Sequence, residues 1–361
     1  MTLSPSQIPV LSTALVAAFT TTDIAGLTTG DIAAFSPTQV AALQAVATDV
    51  MTATQLAGFG TANLRALSLE QLVGMSATAL GGMGTANLQA LTTTQVADLS
   101  NTQINALGAT ALAALTTSQV RSLGIVVTYE MTASTVASLG TTNIGAFTTL
   151  QVESLSTTVL NALSATALNA LGAGGIQKLY PSYQVNGLSV STLNALTTAN
   201  LASLTSDEVT ALTTQQLNGM TATALNGLAA NQHLQLLSMS GLTASTLNNL
   251  NVTDIATLTT TQAQALSSAQ LNGLSATNLN GLGTTNLDML SMTGLSGTAL
   301  STLSTANIKA LTVDQVQVLT TGQLNGLSAT NLAALTTTQV ENLGTVTING
   351  LTASTDRKSV V

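Results

Sequence analysis

Residues that could do chemistry are few and scattered in this chain. It has one histidine, His233, no cysteine, and fourteen acidic side chains against six basic ones. A Ser-His-Asp triad would have to use His233, but the sequence contains no Gly-x-Ser-x-Gly nucleophile elbow. One histidine without cysteine also offers no zinc ligand set. We therefore assign no catalytic, cofactor-binding or metal-binding residue and expect that the chain is not an enzyme.

The remaining motif candidates are incomplete. Apart from the pair Asp207 and Glu208, the acidic residues form no cluster, and they match neither an EF-hand loop nor a calcium-binding nonapeptide. The glycine-rich segment 171–175 (LGAGG) lacks the full dinucleotide fingerprint, and no Gly-Lys-Ser/Thr phosphate loop is present. These glycines are better explained as the corner of a repeat. No cofactor is predicted.

Composition argues against two classes of partner. Only 6% of residues are charged and the net charge is -8, so the clustered basic side chains that bind nucleic acid or anionic membranes are missing. No apolar run approaches the roughly 20 residues of a membrane span, which predicts no membrane insertion. The first residues, MTLSPSQIPV, show no export signal of the Sec type.

The positions of these residues are set by an eight-residue repeat. Counting in eights from Leu3 to Leu179, all 23 positions are Leu, Phe or Met, and we call these residues anchors. A second apolar position follows each anchor by five residues, with Thr48 and Thr128 as the exceptions between Ile8 and Ile176. The consensus octad is Leu-[Ser/Thr/Gly]-x-x-[Gln/Asn/Ala]-[Val/Ile/Leu]-x-x.

Capping chemistry favours helix over strand for each octad. A continuous helix would turn each successive anchor by about 80°, so no apolar stripe could form. A strand would keep all anchors on one face, which leaves a β-solenoid as the alternative. However, Thr92 and Gln95 have the spacing of a capping box, and Leu91 and Val96 that of a hydrophobic staple. The sequence therefore predicts an all-α solenoid of capped helices of about six residues, stacked because none is stable alone.

The repeat predicts a single continuous array over 1–355 with three frame slips. They lie near 180–188, 229–242 and 290–295, where units of nine or five residues replace the octad. The segment 356–361, DRKSVV, departs from the pattern, and we interpret it as a non-native tail translated from a sequencing adapter; a genuine polar tail is the alternative. Tyr180 and Tyr183 lie at the first slip. We expect them to fill the wider corner, the other interpretation being a contact site.

Octads such as LTTTQVADL, LTTSQVRSL and LTTTQVENL resemble the Leu-Thr-Thr-x-Gln-Val/Ile tracts of very large bacterial secreted and surface proteins, many of them adhesin-like. The resemblance covers 1–355. It implies an extracellular or cell-surface bacterial location and neighbouring domains on a longer chain. We expect a structural repeat module, a spacer or stalk. The alternative is a binding module that uses regular Thr/Ser rows to hold carbohydrate or ice, with protein or glycan surface contacts.

Overall fold

The computed structural model describes residues 3–344, 347 and 349–352. In this part of the chain every regular element is a short helix, and no strand occurs. The prediction of an all-α solenoid is thus confirmed, and the β-solenoid alternative was wrong. The predicted tail at 356–361 lies outside the described residues. The helices form two compact units, 1–188 and 189–361, and the boundary falls at the end of the first frame slip.

The first unit is a succession of helices of three to seven residues joined by short corners. They are a 3₁₀-helix Ile8–Val10, then α1 Thr13–Ala17, α2 Thr21–Ala25, α3 Thr29–Ala33, α4 Pro37–Ala42, α5 Ala45–Thr48, α6 Ala53–Gly58, α7 Gly60–Ala66, α8 Leu69–Gly74, α9 Ala77–Gly82, α10 Thr85–Ala90, α11 Thr93–Ala97, α12 Asn101–Ala106, α13 Ala109–Ala114, α14 Thr117–Ser122, α15 Ile125–Tyr129, α16 Ala133–Ser138, α17 Thr141–Ile144, α18 Thr149–Ser154, α19 Thr157–Ala162, α20 Ala165–Asn169, α21 Gly172–Ile176 and a π-helix Pro181–Val185.

The second unit repeats this organisation. Its helices are α22 Val190–Ala195, α23 Thr198–Ala202, α24 Ser206–Thr210, α25 Thr214–Gly219, α26 Ala222–Ala229, a 3₁₀-helix Ala230–Leu236, α27 Ala244–Asn249, α28 Val252–Ile255, α29 Thr260–Gln264, α30 Ser268–Gly273, α31 Ala276–Gly281, α32 Gly283–Leu287, α33 Gly297–Ser301, α34 Thr305–Ala310, α35 Val313–Gln317, α36 Thr321–Asn325, α37 Ala329–Ala333 and α38 Thr337–Glu341.

The predicted caps are present. At α11, Thr92 Oγ1 accepts the Gln95 N–H at 3.2 Å, while Gln95 Oε1 accepts the Thr92 N–H at 2.8 Å. The same reciprocal pair starts α4, α6, α8, α12, α14, α18, α25, α29, α30, α35, α36 and α38, each with Gln as the third helical residue. Each box satisfies two backbone N–H groups that a helix N-terminus otherwise leaves open.

Three octads make one coil, a number that the sequence did not determine. Within each unit a helix packs on the third helix after it: α4 on α7, α11 on α14, and α27 on α30. Equivalent anchors are therefore 24 residues apart, as in Leu43, Leu67 and Leu91. Anchors and second apolar positions fill the interior of each coil. The anchors Leu3, Leu11, Phe147, Leu163 and Leu274 are only half-buried.

The two interruptions of the apolar pattern are also buried. Thr48 and Thr128 occupy the second apolar position with at most 1% of their surface exposed. Their hydroxyls donate to carbonyls of their own helix, Ala45 O at 2.7 Å and Gly124 O at 3.0 Å. Threonine has nearly the shape of valine, so it fits this position once its hydroxyl is hydrogen-bonded.

The five-residue units are turns rather than helices. In Leu237–Leu242 and Leu290–Leu295 a methionine two residues after the anchor, Met239 or Met292, is 1% exposed and replaces the second apolar residue. Gly241 supports the first turn with a φ of 82°, a conformation that favours glycine. The shortened unit thus retains two buried apolar side chains.

Candidate functional site: the joints between coils

The most regular polar feature of the chain is a glutamine that joins each coil to the preceding one. Gln95 is 3% exposed, and its Oε1 is already part of the capping box. Its Nε2 donates at 2.9 Å to Leu64 O and at 2.9 Å to Leu67 O, the last-turn and corner carbonyls of the coil before. One side-chain amide therefore makes three buried hydrogen bonds and fixes the position of one coil on the next.

We call this arrangement the glutamine joint. It recurs with the same two carbonyls, one from a second apolar residue or its equivalent and one from an anchor, at Gln39, Gln55, Gln71, Gln103, Gln119, Gln151, Gln184, Gln262, Gln270, Gln315, Gln323 and Gln339. Asn278 and Asn331 make a shorter version of the same joint.

Asp31 shows why an amide is needed at this position. Its Oδ2 accepts the Thr28 N–H at 2.9 Å and completes a capping box. Its Oδ1 is buried without a hydrogen-bond partner, because a carboxylate has no N–H to offer a carbonyl. An acid can therefore cap the helix but cannot join the coils.

A second kind of joint reaches forward to the next coil. Asn218 Nδ2 donates to Gly241 O at 2.9 Å, and its Oδ1 accepts the Thr243 N–H at 2.9 Å and the Thr246 hydroxyl at 2.6 Å. Thr243 is the N-cap of α27, whose third residue is Thr246 rather than Gln. The asparagine thus satisfies the N-cap N–H that a capping box satisfies elsewhere.

We call this arrangement the asparagine joint. In each case the asparagine lies six residues after an anchor, and the N-cap it reaches is not followed three residues later by glutamine. Its members are Asn105, Asn194, Asn218, Asn226, Asn248, Asn272, Asn280 and Asn325. The sequence analysis did not predict this joint. A detectable signal was present: an asparagine six residues after an anchor is paired, about 27 residues later, with an N-cap that has no glutamine three residues after it.

His233 takes the place of the joint glutamine in the second nine-residue unit. The imidazole is 8% exposed, and its Nδ1 has no hydrogen-bond partner. Burial lowers its pKa below the ordinary histidine value, and a hydrogen bond to the Leu228 carbonyl opposes that shift more weakly. No nucleophile or acid contacts it through a hydrogen bond recorded in the described residues. His233 is therefore buried at a joint position without forming the joint.

The prediction that Tyr180 and Tyr183 fill the wider corner was wrong. Both side chains are more than half exposed, and the corner is filled by Gln184 and Val185, which are fully buried. The π-helix causes this difference, because its hydrogen bond from Val185 N–H to Tyr180 O takes up the extra residue within the helix. The two rings are left on the surface.

Neither a metal-binding cluster nor a membrane-spanning helix occurs among the residues that the structure describes. No three His, Asp or Glu side chains there are placed to hold a metal ion. No helix among these residues is long and apolar enough to cross a membrane. One small apolar cavity lies at the first coil, lined by Leu3, Leu11, Leu15, Ala18, Phe19, Leu27 and the carboxylate of Asp23.

Hydroxyl groups follow one side of the first unit. The second helical residue of four successive coils carries an exposed hydroxyl: Thr94, Ser118, Thr142 and Thr166, spaced by 24 residues. The same position holds Glu70 and Val46 in the two coils before, so the row is interrupted there.

These features define an α-solenoid whose coils are joined by side-chain amides. No protein-family model matches the chain, and no curated protein is significantly similar to it.

Proposed function

We propose that the chain is a structural repeat module, a spacer or stalk, of a large secreted or cell-surface bacterial protein of the adhesin type. The observation that carries this proposal is the repeated use of polar side chains for joining coils. The amides of the glutamine and asparagine joints are hydrogen-bonded to backbone carbonyls and N-cap N–H groups of neighbouring coils. Such a network serves mechanical continuity because it connects each joined coil to its neighbour by hydrogen bonds.

Mechanical unfolding tests the spacer proposal. The chain would be held between two marker domains and extended with an atomic force microscope. Since each coil contacts only its neighbours, force should release 24-residue coils one after another, each lengthening the tether by about 80 Å. A chain that extends without resistance, or in one event over its whole length, would contradict a load-bearing role.

The proposed location has its own test. Antibodies raised against the purified chain should label intact, unpermeabilised cells of the source organism or its culture medium. Labelling that appears only after permeabilisation would rule out the cell-surface location while leaving the mechanical proposal intact.

A second candidate function is a binding module for ice or carbohydrate. The row Thr94, Ser118, Thr142 and Thr166 favours it, because four equivalent hydroxyls recur at a fixed spacing on one exposed side. The test is adsorption to ice and to a glycan array, with a variant in which these four residues become Val or Ala. Binding that the variant loses would replace the spacer proposal; no binding by either protein would reject this candidate.

A further inference from the structure

Five asparagine joints of the second unit are followed directly by glycine. The pairs are Asn218–Gly219, Asn226–Gly227, Asn272–Gly273, Asn280–Gly281 and Asn325–Gly326. Asn–Gly is the asparagine dipeptide most prone to deamidation, because the missing Cβ leaves the glycine nitrogen free to attack the side-chain amide. In the first unit Asn105 is followed by alanine, Arg65 and Arg121 donate from the equivalent position, and the one Asn–Gly pair is Asn186–Gly187 at the first frame slip.

The fold requires both members of each pair. The asparagine is the joint itself. The glycine lies where the preceding coil approaches most closely: a Cβ on Gly219 would be 2.7 Å from Val190 Cγ1, and one on Gly227 would be 2.9 Å from Thr198 Cα. A Cβ on Gly326 would meet Gly297 Cα at 2.7 Å. A side chain at these positions would force the facing residue to shift, so glycine at these five pairs follows from close coil stacking.

The stacked coils also engage both reacting groups in hydrogen bonds. At Asn218 the amide nitrogen is bound to Gly241 O, and the oxygen is bound to Thr243 N–H and the Thr246 hydroxyl. Gly219 is the last residue of α25. At the pair Asn325–Gly326, the Gly326 N–H is hydrogen-bonded to Gly322 O at 3.1 Å. Attack of the glycine nitrogen on the amide carbon therefore requires these hydrogen bonds to break and the local helix to open.

We infer that these five pairs are protected deamidation sites, which react when the coils on either side separate. In the opened chain the glycine backbone nitrogen attacks the Cγ of asparagine and loses its proton, and ammonia leaves from Cγ. Water then opens the resulting succinimide to aspartate or isoaspartate. The product has no Nδ2–H to donate to the backbone carbonyl of the following coil. Its carboxylate oxygen would face that carbonyl oxygen and be repelled by it, so the joint does not re-form. Deamidation therefore makes a transient opening of the second unit permanent.

Mass spectrometry of the full chain tests this inference. The folded protein and the protein in guanidinium chloride are incubated in the same mildly alkaline buffer, and peptides containing the five pairs are followed for the one-dalton mass increase. Deamidation in the folded protein should be slower by at least about tenfold, since it requires local opening. Equal rates in the folded and unfolded protein would overturn the inference.

A variant that loosens one joint sharpens the test. Thr246→Val removes a donor to Asn218 but leaves the Asn218–Gly219 sequence unchanged. It should speed deamidation at Asn218 severalfold and leave Asn280 unchanged. Thr135→Val is the matched control, because Thr135 makes the same hydrogen bond to Asn105 in the first unit. An unchanged rate at Asn218 in folded Thr246→Val would contradict protection by the joint. Should that variant not fold, the comparison of folded and unfolded wild-type chain decides.

Discussion

The two nine-residue units take up the same extra residue in different ways. In 179–187 a π-helix absorbs it, and Gln184 forms a complete joint: Oε1 accepts the Tyr180 N–H at 2.6 Å, and Nε2 donates to Val152 O at 2.8 Å and Leu155 O at 2.7 Å. In 228–236 a 3₁₀-helix absorbs it, with Asn231 and Gln232 at φ values of 57° and 66°. There His233 stands where Gln184 stands in the other unit.

The difference shows what the joint requires from a side chain. A primary amide accepts on one atom and donates two hydrogen bonds from the other, which is what one N-cap and two carbonyls need. A neutral imidazole donates once and accepts once, and Nδ1 of His233 has no partner. Two consecutive non-glycine residues in the left-handed region add backbone strain beside it. We expect the second unit to be the weaker of the two at its lengthened octad.

The largest effect is expected at Gln184. Replacement by leucine removes three buried hydrogen bonds at once and should lower the free energy of unfolding of the first unit by about 3 kcal/mol. The measurement is guanidinium unfolding followed by far-UV circular dichroism. Gln177→Leu is the matched control, because Gln177 is exposed seven residues away and should change stability by less than about 0.5 kcal/mol. Similar losses in both variants would mean that the joint contributes nothing specific.

The opposite substitution should stabilise the second unit. His233→Gln supplies the amide that Gln184 provides in the first unit, and we expect a gain of about 1 kcal/mol. His233→Leu is the control, since it fills the same space without an amide. If His233→Leu stabilises the chain as much as His233→Gln, packing alone explains the gain, and the claim that position 233 needs an amide is contradicted.

Acid should weaken the second unit through His233. Its pKa in the folded chain is lowered by burial, so the folded state binds the proton less well than the unfolded state does. The contribution is fully present above the unfolded value of about 6.5 and is lost as the pH falls below it. Urea unfolding between neutral pH and pH about 5 measures this loss, and His233→Gln should reduce it.

Burial raises the pKa of Asp254 in the same unit, which shifts stability in the opposite sense. That group is common to the wild type and the His233 variant, so the difference between their two pH profiles isolates the histidine. If the wild type and His233→Gln lose the same free energy of unfolding as the pH falls, His233 is not the cause of the acid sensitivity.

The sequence predicted the helices and their caps but not the way they close into coils. Anchors such as Leu91 and the Thr92–Gln95 pair determine which residues are buried and where each helix begins, and both are local patterns. The number of octads in a coil depends on which distant carbonyl the Gln95 amide reaches, about 28 residues earlier. The interpretation of Tyr180 and Tyr183 was wrong for a related reason: a π-helix cannot be read from spacing alone.

The central claim is that three octads form each coil, and the absence of cysteine allows a direct test. A Cβ built on Gly219 would lie 3.3 Å from Val190 Cβ, 29 residues earlier, close to the separation of about 3.5–4.5 Å in a disulfide. The Val190→Cys, Gly219→Cys variant should therefore oxidise rapidly to an intramolecular disulfide, detected by non-reducing electrophoresis of protease fragments. Thr198 is the corresponding residue one octad later, and the Val190→Ala, Thr198→Cys, Gly219→Cys variant, in which alanine removes the γ carbons that would meet a side chain at position 219, should remain reduced under the same conditions. A disulfide in the second variant and none in the first would mean two octads per coil and would contradict the structure described.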